Sequence, residues 1–253
     1  MRIVKLLGLA AGLSLAIVSS AFAIDYDITD NYIGKGNSRD VIGGYRYDVY
    51  GMTVDRSDSG VMTVRIYTKF VDHVGTYEYG DLLMTTSGWN PYGSAPYYGD
   101  DFQRTGTTWE YAYDLNGARD TQGSFVDHNS AELVQMQYPS WSGSYEYGSE
   151  RYDGHSVNDH IYRVNDRYTT SLGGGSVEAN TADNYLEFIF DVSGTSLATA
   201  NQIAFHWTMS CANDIIEGVK HFNGTTVSEP AVMSLLLAGV AGLLYRRRRL
   251  RLY

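Results

Sequence analysis

The sequence predicts an all-β protein built from antiparallel strands, and three observations support this. Apolar and polar residues alternate over several short runs, the period of a half-buried strand. The chain has 22 tyrosines and 27 glycines but four prolines, a composition typical of strands joined by turns. Helical signals are confined to SAELVQMQ and TSLATANQ, each enough for a turn or two. We therefore expect an antiparallel β-sandwich of jelly-roll type rather than a barrel.

The first strands are predicted within GGYRYDVYGMTVDRSDSGVMTVRIY, where two alternating segments flank the loop DRSDSG. In the second segment Met62, Val64 and Ile66 fall on one side of the strand, opposite Thr63 and Arg65. A loop with a glycine between two such runs indicates a β-hairpin. The segments GDLLMTT and IYRVND indicate further strands, and the only low-complexity linker is the short SLGGGS.

Three later runs alternate in the same way. Their apolar sides are Trp109, Tyr111, Tyr113 and Leu115 in the first run, Leu186, Phe188, Phe190 and Val192 in the second, and Ile203, Phe205, Trp207, Met209 and Cys211 in the third. His206 lies opposite the apolar side of its run, and we expect it to be exposed. Cys211 is the only cysteine, so no disulfide can form within the chain, and we expect it to be buried as a small apolar residue.

The N-terminus has the layout of a secretory signal peptide. Arg2 and Lys5 precede an apolar stretch that ends in the small-residue tripeptide Ala21-Phe22-Ala23. We therefore predict that residues 1–23 direct export through the Sec machinery and are removed, so that the mature chain begins at Ile24. The alternative is a retained membrane helix.

The C-terminus combines an uncharged apolar run, residues 231–245, with a cluster of arginines. As a helix this run would be about 22 Å long, short for a hydrocarbon layer of about 30 Å. We nevertheless predict a membrane helix here, with the arginines on the cytoplasmic side. The alternative is a buried C-terminal helix of the domain.

This ending resembles the PEP-CTERM sorting signal of Gram-negative bacteria. Glu229 and Pro230 match the last two residues of the motif, while Ser228 stands where the consensus has proline. The basic stop corresponds to Arg246, Arg247, Arg248 and Arg249. The resemblance implies recognition by an exosortase, a membrane protease-transpeptidase, in bacteria that often produce exopolysaccharide. It also implies transient anchoring in the inner membrane and a final location at the cell surface or in the medium.

The predicted organisation is thus a signal peptide (1–23), an extracellular β-sandwich domain (24–226) and a sorting signal (227–253). Between Ile24 and Ser228 the sequence has 12 cationic and 28 acidic residues. So acidic a domain should repel nucleic acid and anionic lipid, and we expect neither as a partner. Two segments of the domain, GDLLMTTSGWNPYGSAPYYGDD and AFHWTMSCANDIIEG, are similar to segments of other PEP-CTERM surface proteins whose activity is unassigned.

Two aromatic loops are candidate glycan-binding sites, because exposed rings on a loop can stack on sugars. The candidate residues are Trp89, Tyr92, Tyr97 and Tyr98 in SGWNPYGSAPYYGDD, and Trp141 in YPSWSGSYEYGSERY. The alternative is that the rings fold back and cover the end of the sandwich.

Two acidic clusters are candidate cation sites. The first, near the mature N-terminus, consists of Asp25, Asp27 and Asp30, whose carboxylates suit Ca²⁺ although the EF-hand pattern fails. The second, Asn213, Asp214 and Glu217, directly follows a buried strand, where polar groups could bind a cation or polar ligand. The alternatives are solvated charges and a hydrogen-bonded turn. We expect no other cofactor.

The sequence contains no established catalytic motif. Carboxylates for glycoside hydrolysis could come from Glu110, Asp114, Glu146 or Glu187, but chance pairs are common in an acidic chain. We therefore predict a non-catalytic surface or extracellular matrix protein with a structural or glycan-binding role, in contact with exopolysaccharide. The alternative is a secreted glycan-active hydrolase or lyase.

Overall fold

The computed structural model describes residues 24–30, 44–72, 77–91, 94, 106–115, 131–152 and 155–222. The predicted signal peptide and sorting signal lie outside these residues, as do Tyr92, Tyr97 and Tyr98. In the described part, no helix has the length and apolar character needed to cross a membrane.

The described residues form twelve strands and four short 3₁₀ helices, with no α-helix. The strands are β1 (Ile28–Thr29), β2 (Val49–Arg56), β3 (Val61–Thr68), β4 (Leu82–Thr85), β5 (Tyr111–Asp114), β6 (Glu132–Met136), β7 (Tyr145–Tyr152), β8 (His155–Val164), β9 (Thr169–Asn180), β10 (Tyr185–Asp191), β11 (Gln202–Thr208) and β12 (Ile215–His221). The 3₁₀ helices are Lys69–Asp72, Ser142–Ser144, Asp166–Tyr168 and Ser196–Ala198. The all-β class is confirmed. SAELVQMQ, which we expected to be helical, contains β6, because its residues pair with strands on both sides.

Ten strands form one nearly closed sheet in the order β1-β2-β3-β10-β9-β6-β5-β4-β11-β12, and every pair is antiparallel. The two end strands lie against each other. Ile28 of β1 packs on Gly218 of β12, where a Cβ would come within 2.7 Å of the Ile28 side chain. The Asp27 carboxylate also pairs with the Lys220 ammonium group. These contacts bring the sheet close to closure.

Strand β9 belongs to both halves of this sheet and bends at a run of three glycines. Residues 169–174 pair with β6, and residues 175–180 pair with β10. Gly173 has a φ of +151°, which side chains rarely allow, and a Cβ on Gly175 would lie 2.3 Å from the Ile189 carbonyl oxygen. SLGGGS is therefore the bend of a strand and not the linker that the sequence suggested.

The main core lies on the inner face of the sheet. Its fully buried large side chains include Phe70, Tyr79, Tyr113, Phe188, Phe190, Phe205 and Trp207. Tyr113 stacks on Phe190 with ring centroids 4.9 Å apart. The apolar sides predicted for β3, β10 and β11 are confirmed, and Cys211 is buried in the same core.

The hairpin β7–β8 packs on the outer face of the sheet and encloses a second, smaller apolar cluster. This cluster contains Leu83, Trp109, Ala112, Val134, Met136, Tyr145, Val164 and Ala204. Asp81 fixes the hairpin to β5, since its carboxylate accepts from Leu115 N at 2.9 Å and from Val164 N at 2.8 Å. Strands β4, β5 and most of β11 are thus buried on both faces, and the prediction that β5 and β11 would be half-buried was wrong.

Candidate functional site

Three aromatic side chains, two exposed and one half-buried, form a cluster at the base of the β7–β8 hairpin. Tyr138 and Trp141 precede the hairpin and are 56% and 49% exposed, and Tyr168 follows it. The ring centroid of Trp141 lies 4.8 Å from that of Tyr168 and 6.4 Å from that of Tyr138, with steep interplanar angles of 80° and 90°. We call Tyr138, Trp141 and Tyr168 the aromatic platform.

The Trp141 ring packs on Gly143, and its side chain is half-exposed. A Cβ added to Gly143 would lie 2.6 to 2.8 Å from three atoms of the six-membered ring, so the indole rests directly on the glycine backbone. The side chain as a whole is 49% exposed. The absence of a side chain at position 143 therefore sets the height and tilt of this ring.

Hydrogen bonds of the loop hold the platform in place. Trp141 N donates to Tyr138 O at 3.0 Å, and Ser144 Oγ donates to the same oxygen at 2.9 Å. On the other side, Asn165 N donates to Ser144 O at 2.8 Å, joining the segments before and after the hairpin. Because these donors and acceptors are neutral, protonation of carboxylates does not weaken them directly.

The platform has the features of a carbohydrate-stacking surface. Aromatic faces pack on the apolar C–H faces of sugars, and rings fixed in advance lose little side-chain entropy on binding. Neutral hydrogen-bonding groups lie beside it, where Gln137 Nε2 donates to Thr169 O at 3.0 Å and to Thr170 Oγ1 at 3.2 Å. The sequence indicated Trp141 but neither Tyr138 nor Tyr168, since only the folded chain brings these three rings together.

Trp89, the other described tryptophan among the glycan candidates, has a different environment. It packs against the second apolar cluster, and its Nε1 donates to Glu217 Oε1 at 2.6 Å. The packing of Trp89 agrees with the alternative stated for this loop, in which the ring folds back onto the domain.

Glu217 is the centre of a buried polar network between the sheet and the hairpin. It faces His206 across the β11–β12 pair, with Glu217 Oε2 2.7 Å from His206 Nδ1, and both side chains are less than 5% exposed. His206 Nε2 lies 2.8 Å from Ile161 O, and because a carbonyl oxygen only accepts, Nε2 carries a proton. The His160 ring stacks on His206 at 6.0 Å. The expectation that His206 is exposed was wrong because the hairpin covers its face of the sheet.

The remaining members of the second acidic cluster serve the fold. Asp214 is buried, and its carboxylate accepts from Val49 N at 2.6 Å and from Ile215 N at 2.8 Å, so it joins β2 to β12. Asn213 is 2% exposed, and within the described part its Oδ1 has no hydrogen-bond partner. Asp214 thus fits the alternative of a hydrogen-bonded turn, whereas Glu217 belongs to the network with His206.

The three aspartates of the first acidic cluster also have different environments. Asp27 accepts from Val54 N at 2.7 Å and pairs with Lys220, so it fixes β1 against β2 and β12. Asp25 is exposed and Asp30 is half-buried. Among the described residues, no group of three or more histidine, cysteine or acidic side chains could hold a metal ion.

The four carboxylates considered for glycoside hydrolysis lie in separate environments. Glu187 pairs with Arg65, Glu146 accepts from Tyr162 Oη at 3.2 Å, and Asp114 is buried. Glu110 accepts from the backbone and hydroxyl of Thr86, both at 2.9 Å, and from the Ser87 hydroxyl. Burial raises the pKa of Glu110, but these hydrogen bonds outweigh it, so the pKa lies below its ordinary value.

A comparison of the chain with protein family models, curated proteins and solved structures found no match in any of the three.

Proposed function

We propose that this protein is an exported surface or matrix protein that binds glycan chains without cleaving them, through the aromatic platform. The observation that carries this proposal is the half-exposed Trp141 ring, which packs on Gly143 and is flanked by Tyr138 and Tyr168; the glycan would contact the ring face turned away from Gly143. Such clusters of exposed rings are unusual unless they bind something, because large aromatic side chains are normally covered.

The charge of the domain favours neutral over acidic glycans. With 12 cations and 28 acids between residues 24 and 228, the surface repels polyanions at long range. The contacts at the platform would be ring stacking and neutral hydrogen bonds, which distinguish glycans by shape more than by charge.

The test is glycan-array binding of the full chain, compared with a Trp141→Ala variant. We expect binding to neutral glycans that falls at least tenfold on removal of the ring. The matched control is Tyr45→Ala, which removes a 65% exposed tyrosine outside the platform and should leave binding unchanged. If the Trp141→Ala variant bound the array as the native chain does, the platform would not be the site.

A second variant tests whether binding depends on the position of the Trp141 ring and not only on its presence. Gly143→Ala keeps Trp141 but places a methyl group where the indole now lies. We expect a loss of binding close to that of Trp141→Ala, with the same unfolding midpoint within a few degrees. Unchanged binding in Gly143→Ala would mean that the glycan does not contact the face of the Trp141 ring turned away from Gly143.

The route to the surface is part of the same proposal and rests on the terminal sequences. The signal peptide and the sorting signal would deliver the chain through the Sec machinery to the inner membrane, where residues 231–245 would hold it for an exosortase. Intact-mass analysis of surface material should show that residues 1–23 and the chain after about residue 230 are missing. Protein in the medium that retains the arginines would contradict this route.

The rival function is a secreted glycan-active hydrolase or lyase. It predicts new reducing ends, or unsaturated products, when the full chain is incubated with the glycans that it binds. Binding with intact oligosaccharides after prolonged incubation would favour the non-catalytic role. We also propose that the strands have a jelly-roll arrangement, which an experimental structure of the glycan complex would test.

A further inference from the structure

A polar cleft of about 940 Å³ opens at the end of the sheet where β2 turns into β3. It is lined by residues 54–60 at the β2–β3 turn, residues 193 and 194, residues 198, 199 and 201 at the end of the last 3₁₀ helix, and residues 220–222 at the end of β12. No residue of the cleft belongs to the aromatic platform. The two features are thus separate surfaces, and neither needs the other in order to form.

Arg56 is the fixed element of the cleft. Its Nη1 donates to Leu197 O at 2.6 Å and to Ala200 O at 2.9 Å, and its guanidinium lies 4.0 Å from the centre of the Phe222 ring. No carboxylate pairs with it in the described part of the chain. Arg56 is therefore held by neutral oxygens and a ring, with Nε and Nη2 left to donate to a ligand.

Other polar side chains of the cleft are also unused by the fold. Within the described residues, the side chains of Asp58, Thr199 and Asn201 form no hydrogen bond. Together with Arg56 they offer a carboxylate that only accepts, a guanidinium that only donates, and a hydroxyl and an amide that do both. A sugar hydroxyl both donates and accepts, so this mixture suits a polyhydroxylated ligand.

The charges of the lining residues favour a neutral ligand. The cations Arg56 and Lys220 are balanced by the acids Asp55 and Asp58, and Lys220 is already paired with Asp27 outside the cleft. The lining has no excess positive charge to compensate an anionic sugar, and the surrounding domain is strongly acidic. A neutral sugar would need no such compensation. Because Arg56 covers a face of Phe222, recognition here would depend on hydrogen bonds rather than on ring stacking.

We propose that the cleft is a second carbohydrate site, which takes one neutral sugar unit through hydrogen bonds. With the aromatic platform it gives the chain two glycan sites of different chemistry. Two sites on one chain can hold two polysaccharide strands together, or hold one strand far more tightly than either site alone. The chain would thereby act as a cross-linker of the glycan that surrounds it, while the cleft itself binds sugar whether or not the platform does.

The first experiment isolates the cleft. Isothermal titration of the Trp141→Ala chain uses a panel of neutral hexasaccharides (glucan, galactan and mannan) and one hexamer of uronic acid. We expect one site with millimolar to micromolar affinity for a neutral member and at least tenfold weaker binding of the uronate. If the Trp141→Ala chain bound no neutral hexasaccharide, the second site would be refuted. Stronger binding of the uronate would overturn the neutral class.

The second experiment assigns the site to residues. Adding Asp58→Ala and Asn201→Ala to the Trp141→Ala chain should weaken the remaining binding at least tenfold. The control adds Glu178→Ala and Thr181→Ala, two exposed positions away from the cleft, and should change nothing. Equal binding by both triple-substituted chains would place the site elsewhere and refute the assignment.

Failure of the platform and failure of the cleft give different results. If only the cleft binds, Trp141→Ala leaves native affinity intact and the Asp58 and Asn201 substitutions abolish it. If only the platform binds, Trp141→Ala alone removes all binding. Cross-linking requires both, so the native monomer should agglutinate glycan-coated beads, and the Trp141→Ala chain and the Asp58→Ala, Asn201→Ala chain should not. Agglutination by either of these variants would contradict the cross-linking role.

Discussion

The two aromatic loops are similar in composition but have different roles in the structure. Trp89 and Trp141 each lie in a loop rich in tyrosine, glycine and serine. Trp89 donates to the buried carboxylate of Glu217, whereas Trp141 rests on Gly143 and is 49% exposed. What separates them is the partner beneath each ring: an acceptor on a distant strand in one loop, and bare backbone in the other.

The difference extends to how the two loops are held. The segment that leads to Trp89 is fixed by carboxylates, with Glu110 accepting from Thr86 and Ser87, and Glu217 from Trp89 itself. The segment of Trp141 is fixed by neutral carbonyl, amide and hydroxyl groups. One loop should therefore respond to acid and to loss of charge, and the other should not.

The largest effect is expected from Glu217→Ala. It leaves the Trp89 indole N–H without its acceptor and the buried His206 ring without its partner, and breaking a buried pair costs roughly 3 to 5 kcal/mol of unfolding free energy. Urea unfolding of the variant measures this loss. The control is Glu187→Ala, which breaks the more exposed pair with Arg65 and should cost no more than about 1 kcal/mol. Similar losses in both variants would mean that the buried network does not hold the hairpin.

Trp89→Phe should have an intermediate effect. The ring still fills the second apolar cluster, but Glu217 Oε1 then keeps only Thr107 Oγ1, at 3.5 Å, as a donor among the described groups. Leaving a buried acceptor poorly satisfied costs about 1 to 3 kcal/mol. Trp141→Phe, measured in the same denaturant series, should be close to neutral. A larger loss for Trp141→Phe would reverse the roles assigned to the two rings.

Acid should loosen the first loop and leave the second intact. Because the folded pKa of Glu110 lies below its ordinary value, its stabilising effect is complete above about pH 4.3 and is lost as the pH falls through the folded value. Amide hydrogen exchange should show reduced protection of Thr86 N in this range, with Ser144 N unchanged. Glu110→Gln should remove most of the pH dependence at Thr86. Parallel loss at both amides would point to global unfolding instead.

The smallest effect on stability is expected from Trp141→Ala. An exposed ring that packs only on a loop contributes little, so the unfolding free energy should change by no more than about 0.5 kcal/mol. The same variant is expected to bind neutral glycans at least tenfold more weakly. A loss of more than about 2 kcal/mol, measured by urea unfolding, would show that the ring covers the fold and would support the alternative reading of this loop.

Sequence reasoning succeeded where the governing interaction is local. The alternation in β3, β10 and β11 predicts which residues face the core, because a strand turns successive side chains to opposite sides. It failed for His206, since a period of two separates the faces of a strand but does not show that a distant hairpin covers the polar one. The platform was found only in part for the same reason: Tyr168 is brought to Trp141 by the return of that hairpin.

The glycine bend of β9 has a consequence for how the molecule could be divided. Residues 169–174 pair with β6 and residues 175–180 pair with β10, and cutting the chain between them would separate β10 from β3 and β11 from β4. Each fragment would then expose strand edges whose backbone N–H and C=O groups are unpaired, and such edges promote aggregation. Each half of the sheet thus contains strands from before and after the bend, so any shortened version of this protein has to keep both parts of the chain.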